Sequence, residues 1–299
     1  MLPLCSALVL LAVPAQPLPA LNFAIIGDSR PLVLDDIAHY PTSVVTSLFQ
    51  EVQARSPRPF FVVGTGDYMN ADATQPREKS TAFAQAELYY GAAKGFSGAV
   101  YPALGNHECG NGVSTNCGPK GQQGLTPNYQ AYLQLLSKLG LPNDRPYYAR
   151  SFASSDATHP WTAKLVMIAA NAWDDDQAGW LEQTLASPTT YTLVVRHEPD
   201  TDNNQCLGCA ASDAIVKRHP YTLLLTGHEH TFRIVRASKE LVVGVGGAPL
   251  YDPRDHYGYV ICSQRPDGNL ACQERDAGLE SSSYADSSVV VTPAGEVVK

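Results

Sequence analysis

Short β-rich runs that break off into Gly, Asp, Asn or His recur from residue 23 to residue 230. Ile26-Gly27-Asp28, Gly64-Thr65-Gly66-Asp67 and Gly105-Asn106-His107-Glu108 are three such ends, and Arg196-His197 and Gly227-His228-Glu229-His230 are two more. The apolar runs at 23–27, 60–64, 100–104, 164–170, 191–196 and 221–226 have strand length and composition. Helical spacing fills the gaps at 43–55, 77–94, 129–139, 177–185 and 212–218. After Thr231 the pattern becomes strand upon strand. An α/β half followed by a mostly β half predicts two sheets packed face to face with helices outside. No internal repeat is present.

Composition narrows the function. Of 299 residues, 21 are Lys or Arg and 29 are Asp or Glu, a net charge of −8 that offers no field for a polyanion, so no stable nucleic-acid partner is expected. No apolar run after residue 20 reaches the roughly 18 residues of a spanning helix, so no membrane span is expected in the mature chain. The first twenty residues carry no charged side chain and have the apolar core of an export signal. Val13-Pro14-Ala15 or Leu18-Pro19-Ala20 supplies the cleavage site, and a buried N-terminal strand or helix is the other reading. The expected organisation is a signal at 1–20, a domain at 21–275, and a tail at 276–299 that is a linker plus an edge strand or a frayed end.

Cysteines point the same way. Cys5 leaves with the signal, and six remain as Cys109/Cys117, Cys206/Cys209 and Cys262/Cys272. Close pairs suit an oxidising compartment, so the expected location is secreted, extracellular or periplasmic. Cys262 and Cys272 are symmetric about Asp267 in Arg265-Pro-Asp-Gly-Asn269, the pattern of a bridged hairpin. The competing reading is free thiols, or a zinc site using Cys206-Leu-Gly-Cys209.

Ligand sites of open α/β sheets lie at the carboxyl ends of strands. There the chain offers two carboxylates, one carboxamide and three imidazoles, a set suited to manganese, iron or zinc. The segments Gly-Asn-His-Glu at 105–108, Gly-His-Glu-His at 227–230 and Gly246-Gly-Ala-Pro-Leu-Tyr251 resemble the calcineurin-like metallophosphoesterases, the superfamily that includes purple acid phosphatases. The resemblance spans roughly residues 22–275 and implies a four-layer α/β/β/α sandwich. It implies two divalent or mixed-valence transition metal ions. Asp28 and His230 would hold the first, Asn106, His197 and His228 the second, with Asp67 shared. His107 would face the phosphate as stabiliser or proton donor. The implied activity is hydrolysis of small phosphomonoesters or phosphodiesters.

Two positions depart from that pattern. Where relatives carry His or Gly two residues after the first Asp, this chain has Arg30, and where purple acid phosphatases carry Tyr it has Asn70. Arg30 has no lone pair to give a metal, so the first position should bind more weakly. Its guanidinium either forks onto the substrate phosphate or turns away to Asp35 or Asp36. Two other classes stay open: a metal-binding protein without turnover, and a GDSL-type serine esterase using Ser29 of Gly27-Asp28-Ser29 with Asp156-x-x-His159.

Overall fold

The computed structural model describes residues 15–199 and 206–298. Its first half carries β1 (Gln16–Leu18), β2 (Asn22–Ile26), α1 (Thr42–Ala54), β3 (Phe61–Gly64), α2 (Ala82–Ala93), β4 (Ala99–Pro102), α3 (Pro127–Lys138) and β5 (Tyr148–Ser154). There follow β6 (Thr162–Met167), α4 (Asp175–Ala186), β7 (Tyr191–Val195), α5 (Cys209–Val216), β8 (Leu223–Thr226), β9 (Phe232–Val235), β10 (Glu240–Val243), β11 (Gly258–Gln264), β12 (Leu270–Asp276) and β13 (Ser288–Val291). A seven-stranded sheet runs β1-β5-β6-β7-β8-β10-β9, and a six-stranded sheet runs β13-β12-β11-β2-β3-β4. Both are mixed: β6-β7-β8 and β2-β3-β4 pair in parallel, whereas β5-β6 and β11-β2 are antiparallel.

Side-chain alternation along the strands explains the stacking. Leu165, Leu193 and Leu223 face the central core, while Val166, Val194 and Leu224 turn to Leu181 and Leu185 of α4 and Ile215 of α5. Between the sheets, Phe61 of β3 stacks on Phe152 of β5 with ring centroids 4.6 Å apart. Helices α1, α2 and α3 complete the core on the six-stranded side. Helix α1 buries Val45, Leu48, Phe49 and Val52, one stripe at helical spacing. The α/β/β/α sandwich expected from the sequence is the observed architecture. Among the described residues no helix is long and apolar enough to cross a membrane.

Element limits differ from expectation where side chains have other partners. Helix α2 starts at Ala82, not near 77, because residues 77–80 close turns onto Pro76 and Thr81 spends its hydroxyl on Asp35. Helix α4 starts at Asp175, two residues before the expected 177, because Asp174 caps it by accepting from Gln177 N at 2.8 Å. The sheets also reach past the 21–275 span. Strand β1 pairs in parallel with β5 and buries Leu18, while β13 pairs with β12 and buries Val289, Val290 and Val291. Of the two readings of the tail, the edge strand is therefore present. The rest of the expected signal, residues 1–14 with Cys5, lies outside the described residues. All three cysteine pairs are disulfides, and Cys262 faces Cys272 across β11 and β12.

Candidate metal centre

The loops after β2, β3 and β4 belong to one sheet and those after β7 and β8 to the other, and all five meet at one end of the sandwich. Asp28, Asp67 and His228 take left-handed φ values of 60°, 59° and 68°, costly for non-glycine residues and typical of sites whose surroundings hold them in place. Here the surroundings are hydrogen bonds between loops. Asp28 N donates to Gly66 O at 3.0 Å, Ser29 N to Asp67 O at 2.8 Å, and His228 N to both Asp28 carboxylate oxygens at 3.0 and 3.1 Å. Two glycines permit the close approach: a Cβ on Gly66 would meet the His197 ring, and one on Gly105 the Asp67 carboxylate.

Four donor atoms converge below this rim. His197 Nε2 lies 3.2 Å from Asp67 Oδ1, 3.1 Å from Asn106 Oδ1 and 3.2 Å from His228 Nδ1. His228 Nδ1 in turn lies 3.1 Å from Asn106 Oδ1. Four ligands placed tetrahedrally about 2.0 Å from a cation would be about 3.3 Å apart, so these spacings fit an ion of zinc or manganese size. The tautomers fit as well. His197 Nδ1 donates to Thr65 O at 2.8 Å, which directs Nε2 at the cluster. Asn106 Nδ2 donates to Asn111 O at 2.8 Å, which turns its Oδ1 inward.

A second group, Asp28, Asp67 and His230, shares Asp67 with the first, and its ligand atoms lie within 4.8 Å of one another. His230 Nδ1 meets Pro249 O at 2.6 Å, and its Nε2 lies 3.7 Å from Asp28 Oδ1. Arg30 faces this group. Its Nε is 3.5 Å from Asp67 Oδ2 and its Nη2 is 3.4 Å from His230 Nε2. It does not turn to the surface carboxylates: Asp35 accepts from Asp72 N and Thr81 Oγ1, and Asp36 pairs with His39.

Charge balance follows from burial. Burial pushes the Asp28 carboxyl well up, with Asp67 adding to it. Burial opposes ionisation of Asp67 too, yet His197, His107 and Arg30 hold it well below the carboxylate range. Burial would neutralise His197, but the Asp67 charge and hydrogen bond hold its pKa well above the usual value. The Asp67 charge thus favours positive charge where four donors converge, the place a cation would take. His107 is pushed down to about 4 and His228 to about 3, burial leading in both. Burial and Arg30 also lower His230. Neutral imidazoles keep the lone pairs that a metal needs.

All eight expected site residues are thus brought together at one end of the sandwich. Glu108 is a further organising residue that the sequence reading quoted and gave no role. It is buried, its Oε2 accepts from Asp67 N at 2.8 Å and Gly105 N at 2.9 Å, and its Oε1 accepts from Tyr68 N at 2.7 Å. Its place after Gly-Asn-His was the only available signal.

The alternatives lose their geometry. The Cys206 and Cys209 sulfurs near Glu198 are joined to each other, so no thiolate pair is available for zinc. Ser29 Oγ is buried without a hydrogen-bond partner. The Asp156–His159 pair lies exposed between β5 and β6, beside a cavity of about 700 Å³ lined by Trp161, Tyr191 and Arg265. Tyr191 begins β7 and His197 follows its end, so the pair and Ser29 belong to opposite ends of the sandwich.

A family model described as Calcineurin-like phosphoesterase matches residues 21–232, a span that includes all six metal-ligand candidates. No curated protein matches the sequence. Among solved structures, a purple acid phosphatase from yellow lupin (Lupinus luteus) seeds is similar over 94% of this chain and 55% of its own, with 16% identity and a TM-score of 0.64. GAP50, the anchor in the inner membrane complex of Plasmodium, is similar over 91% of this chain and 89% of its own, with 14% identity and a TM-score of 0.62. A putative 5'-nucleotidase from Staphylococcus aureus is similar over 89% of this chain and 56% of its own, at 12% identity and a TM-score of 0.50. At such identities the likeness is one of fold. The chain spans about half the length of the lupin and Staphylococcus chains.

Proposed function

Because the chain belongs to the calcineurin-like phosphoesterase family, we propose that it is an exported, metal-dependent hydrolase of small phosphoesters. The observation that carries this reading is the cluster of Asp67, Asn106, His197 and His228 donors at 3.1–3.2 Å spacings. Metal bound there would supply Lewis-acid charge to the phosphoryl oxygens and acidify a water molecule. The dinuclear form expected from the sequence also needs the Asp28, Asp67 and His230 position, which Arg30 faces.

The chain's own residues have distinct tasks. Asp67 serves both donor groups, and the Glu108 carboxylate holds its backbone and that of Gly105 in register. His107 N donates to Asp67 Oδ1 at 3.1 Å, tying the β4 loop to the β3 loop. The His107 ring adds no nitrogen to either donor group. Its Nε2 lies 3.8 Å from Asp67 Oδ2 and its Nδ1 has no hydrogen-bond partner. A neutral ring in that position donates an N–H hydrogen bond to a phosphoryl oxygen and, of the two roles expected for it, acts as the stabiliser. Arg30, with several N–H donors in a fixed fork, orients the phosphoryl group.

Export is supported by the three disulfides. Since Leu18 is buried on β1, cleavage after Val13-Pro14-Ala15 keeps the sheet whole, whereas cleavage after Ala20 removes that strand. The decisive experiment is hydrolysis of a panel of aryl phosphomonoesters and phosphodiesters before and after chelation. Turnover should vanish with chelator and return with manganese, iron or zinc. Full activity in the metal-free chain would sink the proposal. Metal binding with no turnover of any phosphoester would establish the metal-binding alternative instead.

A further inference from the structure

Besides having three donors and not four, the Asp28, Asp67 and His230 group already faces a permanent cation. Arg30 lies two residues past Asp28 in the same strand-end loop. Its Nε approaches Asp67 Oδ2 to 3.5 Å while Nη2 approaches His230 Nε2 to 3.4 Å, so the guanidinium spans two of the three ligands. His230 Nδ1 is engaged by Pro249 O, which leaves the Nε2 lone pair directed toward the guanidinium. The Arg30 side chain is only 16% exposed, and its buried Nε has no hydrogen-bond partner. The nearby carboxylates that would draw it off, Asp35 and Asp36, are occupied by Thr81 and His39.

We propose that the Arg30 guanidinium is the resident cation of this position, so that the chain binds one metal ion, at Asp67, Asn106, His197 and His228, where dinuclear relatives bind two. The inference rests on the metal-dependent reading above. An ion at the Asp28, Asp67 and His230 position would bond Asp67 and His230 at about 2 Å, on the side from which the guanidinium approaches both. It would meet a charge that cannot be shed, because a guanidinium does not deprotonate in proteins. Relatives with His there present a lone pair; this chain presents N–H donors. The exchange is from a position that binds an ion to one that binds the phosphoryl oxygens by a fork.

The test is manganese titration of the full chain, read as bound ion per chain and by electron paramagnetic resonance. Expected is one equivalent with the spectrum of an isolated ion. Arg30→His should admit a second equivalent and give an exchange-coupled spectrum, while Arg30→Lys, which keeps a cation, should stay at one. Two equivalents with a coupled spectrum in the unmodified chain overturn the inference without any variant. Arg30→His remaining at one equivalent overturns it as well. Turnover of an aryl phosphoester in the same samples separates the two ideas. One ion without turnover removes the hydrolase reading and keeps the inference, and turnover with two ions does the reverse.

Discussion

His197 and His228 are the same residue type, yet they offer different nitrogens to the cluster. The Thr65 carbonyl accepts a hydrogen bond from His197 Nδ1 and so directs Nε2 inward, whereas His228 brings Nδ1 itself to Asn106. One carbonyl oxygen thus decides which lone pair is offered. His107 is distinguished by the same reasoning, since its ring contributes to neither donor group while standing 3.8 Å from Asp67 Oδ2. His107→Gln should therefore lower kcat by up to about 10²–10³-fold and leave metal content unchanged. Steady-state kinetics paired with metal analysis checks this. Loss of metal together with activity would make His107 a ligand, contrary to the geometry.

Loops and strands carry the next level of control. The Cys109–Cys117 bridge closes the segment that holds Asn111, whose carbonyl orients the Asn106 carboxamide. The same segment is tied to Asn171, which accepts from Cys117 N at 2.8 Å. Replacing both cysteines by serine removes about 2–3 kcal/mol of loop-closure stabilisation. It should also weaken metal binding by about tenfold, as loss of an orienting partner does, and raise KM. If only the melting temperature moves, the bridge is a staple with no bearing on the site.

Strand β12 supplies a test away from the centre. Glu274 is buried beside Asp276, takes a hydrogen bond from Ser282, and has an unpartnered Oε1. Burial, with Asp276 adding to it, pushes its carboxyl from 4.5 up to about 7. Between those values the folded chain keeps a proton that the unfolded chain releases, so stability falls as pH rises through the window. The loss amounts to at most about 3 kcal/mol. Glu274→Gln should flatten this slope and raise stability at pH 7.5, as read from urea midpoints across the range. An unchanged slope would assign the pH dependence to other groups.

At the scale of the whole molecule, the donor cluster is a joint between sheets. Asp67 and Asn106 follow β3 and β4 of one sheet, and His197 and His228 follow β7 and β8 of the other. An ion bound by all four favours the docked sandwich over the unfolded chain. At a hundredfold excess over Kd it stabilises by about 2.7 kcal/mol. Chelation should lower Tm by several degrees, and Tm should rise with added metal in proportion to the logarithm of its concentration. Activity lost to chelator with Tm unmoved would mean that the ion does not bridge the sheets.

That the six donor residues end strands was legible in the sequence because each place depends on local chemistry, a short apolar run followed by Gly, Asp, Asn or His. The facing of Cys262 and Cys272 was legible for a similarly local reason, their symmetry about a turn. Strand β5 was not, because Arg150 and Ser151 interrupt its apolar pattern and its place is set by pairing with β6 and β1. The three-residue β1 is too short to signal itself. Sequence left two orientations open for Arg30, and the structure turns it toward Asp67 and His230 because Asp35 is taken by Thr81 of a distant segment and Asp36 by its neighbour His39. Glu108 had no assigned role, since its importance lies in backbone N–H groups of Asp67 and Tyr68, about forty residues earlier. Residue type and local period determine which chemistry a segment can offer. Which atoms meet is decided by the packing of two sheets, because the contacts that build the site join residues up to 200 positions apart.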